Sequence, residues 1–292
     1  MFDFIHEPDN EGLSFQGLRD KQGLHRYPFL TAQDKHPSYI NIFKQAQTGN
    51  TIPTISKWNT FLFRTLNLSL AQFKIESPKT NYTPKRNLVF ANLFFKLIPK
   101  SIRDDQSRLI KTVHAGLSIG FILSKLEIKP LIIFRHPASV ISSYLYLKMA
   151  DGDRKLYDVP SIQKDILANL QDKIEVIKDD KLALMGLQVS IFYFIMERDA
   201  AKFNIPIYFH ENLCVNPVEK IKQVYTDFNI PWNTEIAEKI TASNNEGSGF
   251  QTNRVASDQI DIWKKRLDAA QIKSIQKGFS ILPVRAYSSF RI

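Results

Sequence analysis

The stretch that most constrains the fold is Leu131 to Leu145, LIIFRHPASVISSYL. Leu131 to Phe134 is a short continuous apolar run, the pattern of a parallel strand buried on both faces. It ends at Arg135-His136-Pro137 and gives way to a helical pattern carrying Ser142 and Ser143. Pro137 suits the first turn of a helix, because its missing N–H is not needed there. A strand that stops, turns and starts a helix aims the helix N-terminus at the turn. Free N–H groups and the helix dipole favour an anion at that point. Arg135 adds a planar, always-charged fork well matched to phosphate oxygens. The bland alternative is a strand-to-helix junction with a surface Arg.

Size and charge narrow what such a junction could serve. With 292 residues, 43% of them hydrophobic, the chain can build a substantial core as one large α/β domain or two small ones. The net charge of +10, from 39 Lys plus Arg against 29 Asp plus Glu, favours anionic partners. The basic residues are scattered apart from small groups such as Lys264-Lys265-Arg266, and no RNA-binding aromatic signature or helix-turn-helix stands out. A solvated, mildly basic surface is the plain reading, and a nucleotide bearing several phosphates would use the same surplus. No apolar run reaches the roughly 20 residues that cross a bilayer; Leu88 to Ile98 is interrupted by Asn92 and Lys96. Acidic residues stand at the N-terminus where a signal peptide carries basic ones, so a cytoplasmic protein is expected. The single Cys214 excludes an intrachain disulfide and a Cys-only metal site, and reads as a small buried residue.

Along the chain, Phe2 to Ile5 is a strand candidate running into His6-Glu7-Pro8, which places a carboxylate at a strand end, where open α/β sheets bind ligands. The same dipeptide also fits a plain turn. His36 to Ala46 and Ile55 to Ala71 have helical periodicity, Ser77 to Arg86 is a connector, and Asn87 to Ile98 fits a strand or a buried helix. Arg108 to His114 is the next strand candidate, followed by a helical run. Helices are expected over Ala138 to Met149, Asp165 to Ile177 and Lys181 to Lys202, the last packed against the sheet. Ile205 to His210 is a strand candidate ending at Glu211-Asn212-Leu213, and Val218, Ile221, Val224, Tyr225 and Phe228 share one face of a following helix. Residues 243–258, rich in Ser, Asn, Gly and Gln, read as a mobile loop.

Arg135 and Ser143 have the spacing of the 3′-phosphate-binding motif of sulfotransferases that use 3′-phosphoadenylyl sulfate, in which an Arg at a strand end is followed eight residues later by a Ser. The chain resembles that family at two further points. His6-Glu7-Pro8 looks like the strand end whose Glu is a proposed base for the acceptor in carbohydrate-modifying branches. Arg254, ahead of Trp263 and Leu267, resembles the basic loop that closes on the 3′-phosphate. The segment Lys111-Thr112-Val113-His114 resembles the family's Lys-Thr-His with one residue inserted, so that Lys111 and His114 need not share a strand face, and His114 is a second candidate base behind Glu7. Asn212 stands where the family's Glu-Asp-Leu has Asp.

The resemblance implies a P-loop NTPase-like α/β fold with a mostly parallel sheet and helices on both faces. It implies a single sulfotransferase-like domain over 1–292, with residues 14–107 as an acceptor-side insertion. The implied chemistry is sulfuryl transfer from 3′-phosphoadenylyl sulfate to an acceptor hydroxyl or amine. Glu7 and His114 are the candidate catalytic residues, Arg135, Ser143 and Arg254 hold the cosubstrate, and no metal is called for. One family element is missing: the Pro-Arg-Ser-Gly-Thr-Thr type loop that cradles the 5′-phosphosulfate, so the first strand and loop are expected to be absent. That absence supports an alternative, a non-catalytic nucleotide-binding or interaction protein of the same fold. A P-loop kinase is disfavoured because no GxxxxGK[ST] occurs.

Overall fold

In the computed structural model the chain is a mixed α/β protein, mostly helical, with parallel strand pairing. The structure describes residues 3–6, 24, 27–47, 108–148, 155–247, 253–288 and 290. The chain divides into two compact units, Met1–Leu24 with Lys35–Ala115, and His25–Asp34 with Gly116–Ile292. The expected elements over Ile55 to Ala71, Ser77 to Arg86 and Asn87 to Ile98 lie outside the described residues.

In the first unit, β1 (Asp3–His6) pairs in parallel with β2 (Arg108–Lys111), in a register running from Asp3↔Arg108 to His6↔Lys111. The strand expected to reach His114 stops at Lys111. The hydroxyl of Thr112 accepts from the backbone N–H groups of His114 (3.1 Å) and Ala115 (3.3 Å), a local turn that takes the backbone out of the ladder. His114 thus sits in the turn after β2, buried, and the question of which strand face it shares with Lys111 does not arise. Helix α1 (Pro37–Gln47) starts on a Pro at its first position and buries Tyr39, Ile40, Phe43 and Ala46, a single helical stripe.

The second unit holds β3 (Ile132–Phe134) and β4 (Ile207–Phe209), parallel, with Ile132↔Ile207 and Phe134↔Phe209. Only one face of β3 is packed. Ile132 and Phe134 are buried, whereas Ile133 is 52% exposed, so the expectation of a strand covered on both sides fails. Around this pair lie α2 (Ile119–Leu123), α3 (Pro137–Tyr146), α4 (Pro160–Asp165), α5 (Gln171–Glu175), α6 (Lys181–Phe203), α7 (His210–Val215), α8 (Pro217–Asp227), α9 (Thr234–Ser243), α10 (Asp258–Asp261) and α11 (Ala269–Phe279). The helix expected over Asp165 to Ile177 is broken into α4 and α5. At the break the Leu167 N–H reaches back to the Ile162 carbonyl (3.1 Å), and Ile162, Leu167 and Ile177 all reach full burial.

The backbone of this unit is α6. Asp180 caps it, accepting from the Ala183 N–H (3.0 Å) and from the Ser274 hydroxyl (2.5 Å), and Asn204 ends it in the left-handed conformation at φ 53°. One side of α6 meets β3, where Tyr193 stacks on Phe134 with centroids 4.1 Å apart. Its main partner is α11. There a Cβ on Gly278 would lie 1.7 Å from the Ala183 carbonyl oxygen, and one on Gly186 would lie 2.2 Å from that of Ile275, so both crossing points require glycine. Among the described residues no helix is long and apolar enough to cross a membrane.

Candidate functional site

The site grows from the junction that opens the sequence. β3 delivers Arg135 at its carboxyl end, and α3 begins two residues later on Pro137. The Tyr193 hydroxyl fixes the junction: it accepts from the Arg135 N–H (3.1 Å) and donates to the Arg135 carbonyl. Burial pushes the Tyr193 phenol upward, so it remains a donor throughout the physiological range.

The Arg135 guanidinium is poorly satisfied. Its Nη2 reaches the Gln259 carbonyl only at 3.5 Å, the outer edge of a hydrogen bond, and its buried Nε has no partner among the described residues. Burial pulls its pKa down. The negative field of Glu211 opposes that shift, and the positive Arg266 adds to it. Arg266, whose guanidinium lies over the Tyr146 ring at 4.1 Å, is thus a second cation acting on the same spot.

His136, the next residue, is handled differently. Its backbone N–H donates to Glu211 Oε1 (2.8 Å), so an internal carboxylate already occupies one of the donors that the sequence offers to an external anion. Its ring stacks on Trp263 (4.5 Å, 7°) and is boxed by Tyr287 (5.3 Å) and Phe290 (4.9 Å). Both ring nitrogens are buried without partners among the described residues. Burial lowers its pKa to about 4, only partly opposed by Glu211, and the ring is neutral at pH 7. Glu211 Oε2 accepts from the Tyr287 hydroxyl (2.5 Å). A cleft of about 230 Å³ opens here, bounded by His136, Glu211, Asp261, Trp263, Lys264 and Tyr287. A larger hollow of about 410 Å³ beside α1 in the first unit carries none of the candidate chemistry.

On α3, Ser142 is buried and its hydroxyl donates to the Ser139 carbonyl (3.1 Å), while Ser143 is half-buried. Ser139 and Ser143, four residues apart, share a helix face, and the buried Ser139 Oγ has no partner among the described residues. Beside Arg135 the Cys214 thiol lies 3.6 Å and 3.7 Å from the two ring nitrogens of His210, and burial pushes this thiol up, away from a reactive thiolate.

Arg135 and Ser143 thus fall on the same strand-helix unit. Arg254 lies at the base of the loop read as mobile. Its N–H donates to the Ser243 carbonyl (3.2 Å), and the Ala256 N–H donates to Asn244 Oδ1 (2.7 Å), so the two described ends of that loop are pinned together. His114 belongs to the first unit, and Glu7 lies outside the described residues. Sequence reasoning passed over His136, Tyr193, Arg266 and Tyr287. Arg266 was visible as part of a basic trio and Glu211 as a strand-end carboxylate, but nothing in the local pattern marks Tyr287. Among the described residues no cluster of three or more His, Cys, Asp or Glu is placed to hold a metal ion. Comparisons with protein-family models, with curated proteins and with solved structures give no match for this chain.

Proposed function

We propose that Arg135 binds the 3′-phosphate of a nucleotide, and that the chain is a sulfotransferase of P-loop NTPase-like fold using 3′-phosphoadenylyl sulfate. The observation that carries the reading is the state of Arg135. It is a guanidinium at the carboxyl end of a parallel strand, partly desolvated, with an unpartnered Nε and a single long contact. A cation cannot shed its proton to escape that situation, and a dianionic phosphate would supply the missing acceptors. Ser143 on α3 and Arg266 over Tyr146 are the further groups we assign to it.

In the reaction the bond from sulfur to the bridging phosphate oxygen breaks and a bond from sulfur to the acceptor oxygen or nitrogen forms in line. The acceptor proton passes to a base, and adenosine 3′,5′-bisphosphate leaves. The protein's part is positioning and charge neutralisation. A nucleotide-binding protein without transfer is the second reading, because Arg135, Ser143 and Arg266 are phosphate-binding groups and none of them is a base.

Titration calorimetry with adenosine 3′,5′-bisphosphate and with 5′-AMP tests the binding step. Tighter binding of the bisphosphate, lost in Arg135→Ala, is expected; equal binding by the variant would remove the central assignment. Turnover with 3′-phosphoadenylyl sulfate and a panel of hydroxyl and amine acceptors separates transferase from binder.

A further inference from the structure

Glu211 faces a choice of partners. Its Oε1 is bonded to the backbone N–H of the residue next to Arg135, yet no salt bridge joins Glu211 to Arg135 among the described residues. Instead its two oxygens are taken separately, by the His136 N–H at 2.8 Å and by the Tyr287 hydroxyl at 2.5 Å. A carboxylate this near a buried, under-satisfied guanidinium would ordinarily close on it, because a bidentate pair satisfies both groups.

What restrains it is the C-terminal segment. After α11 the chain is pinned by Glu197 of α6, whose carboxylate accepts from the N–H groups of Arg285 (2.9 Å) and Ala286 (2.6 Å). The next residue, Tyr287, is held at φ 60°, and Phe290 at φ 35°. Left-handed conformations of bulky side chains are strained and persist only where the surroundings over-determine them. Here the strained turn puts the Tyr287 hydroxyl on Glu211 and sets the Tyr287 and Phe290 rings against His136. Burial, and then the Glu211 hydrogen bond, push the phenol up, so the donor is permanent.

We propose that Tyr287 is a positioning residue for the anion site: its hydroxyl holds Glu211 on the His136 side of the β3–α3 turn and so keeps Arg135 open to an incoming phosphate. This inference rests on the reading of Arg135 as that site. When the hydroxyl is removed, Glu211 swings to Arg135 and competes with the ligand as an internal anion.

The test is a two-residue cycle read by adenosine 3′,5′-bisphosphate affinity, with thermal melts to confirm that each variant is folded. Tyr287→Phe keeps the ring contacts and loses the hydroxyl; about a tenfold loss of affinity is expected, the scale of one hydrogen bond to a charged group. In a Glu211→Gln background, where no competing anion exists, the same Tyr287→Phe change is expected to have no effect. A merely structural role for Tyr287 would lower affinity equally in both backgrounds, and that outcome, or full affinity in Tyr287→Phe alone, overturns the proposal. Arg135→Ala is run alongside: if it leaves affinity unchanged, the underlying site assignment fails, whereas loss there with an unaffected Tyr287→Phe sinks this inference alone.

Discussion

Arg135 and His136 are consecutive residues with partly or fully buried nitrogens that lack partners, and the two sides of the turn treat them in opposite ways. On the His136 side the ring gives up its proton, enters a box of Trp263, Tyr287 and Phe290, and becomes one more aromatic of the core. On the Arg135 side no such retreat exists, since a guanidinium stays charged at any ordinary pH. The neighbouring charges are Glu211, held elsewhere, and Arg266, of the same sign. The difference teaches that an unpartnered buried nitrogen is not by itself a functional signal. It becomes one when the group cannot neutralise itself.

Experiments that break the contrast follow in order of expected size. Arg135→Ala should reduce adenosine 3′,5′-bisphosphate binding below detection in calorimetry, and Arg135→Lys should recover only part, because an ammonium cannot fork two phosphate oxygens. Next comes the pH dependence of stability on the His136 side. Above pH 6.5 His136 is neutral in both states; as pH falls the unfolded chain takes up the proton first, while the folded chain resists until about pH 4. Stability should therefore fall between those values, by up to about 3 kcal/mol from this group, and level off below. Urea melts of His136→Phe should lack that portion of the slope, and an unchanged slope would show that the box tolerates the charged ring.

Ser143→Ala should weaken bisphosphate binding a few-fold, about 1 kcal/mol for one hydroxyl, without altering the melting temperature. The smallest effect belongs to Ser139→Ala. Its hydroxyl is buried without a partner, so removal should leave stability the same or higher by about 0.5 kcal/mol.

Local pattern revealed the junction and little of what surrounds it. The apolar run and Pro137 were enough to locate β3 and α3, because strand termination and helix initiation are written in adjacent residues. The open face at Ile133 was not readable, since an apolar run looks the same whether one face is covered or two. Nor was the break between α4 and α5, where spacing fits a continuous helix and burial of Leu167 overrides it. Arg135 was legible as a candidate by residue type and place. Its surroundings were not: Glu211, readable only as a strand-end carboxylate, comes from the start of α7 and Tyr287 from the far C-terminal segment, and only tertiary folding brings either to the turn. The turn that removes His114 from its strand was present in the sequence as Thr112, a residue known for bonding its own backbone.

The two glycine crossings between α6 and α11 act as a ruler. With the Gly278 position against the Ala183 carbonyl and the Gly186 position against that of Ile275, neither helix can slide along the other by even one residue. The distance from α11 to the anchoring Glu197 on α6 is thereby set, and with it the length of chain left over to carry Tyr287 to Glu211. Two buried positions with no side chain thus calibrate how far the last stretch of polypeptide can reach.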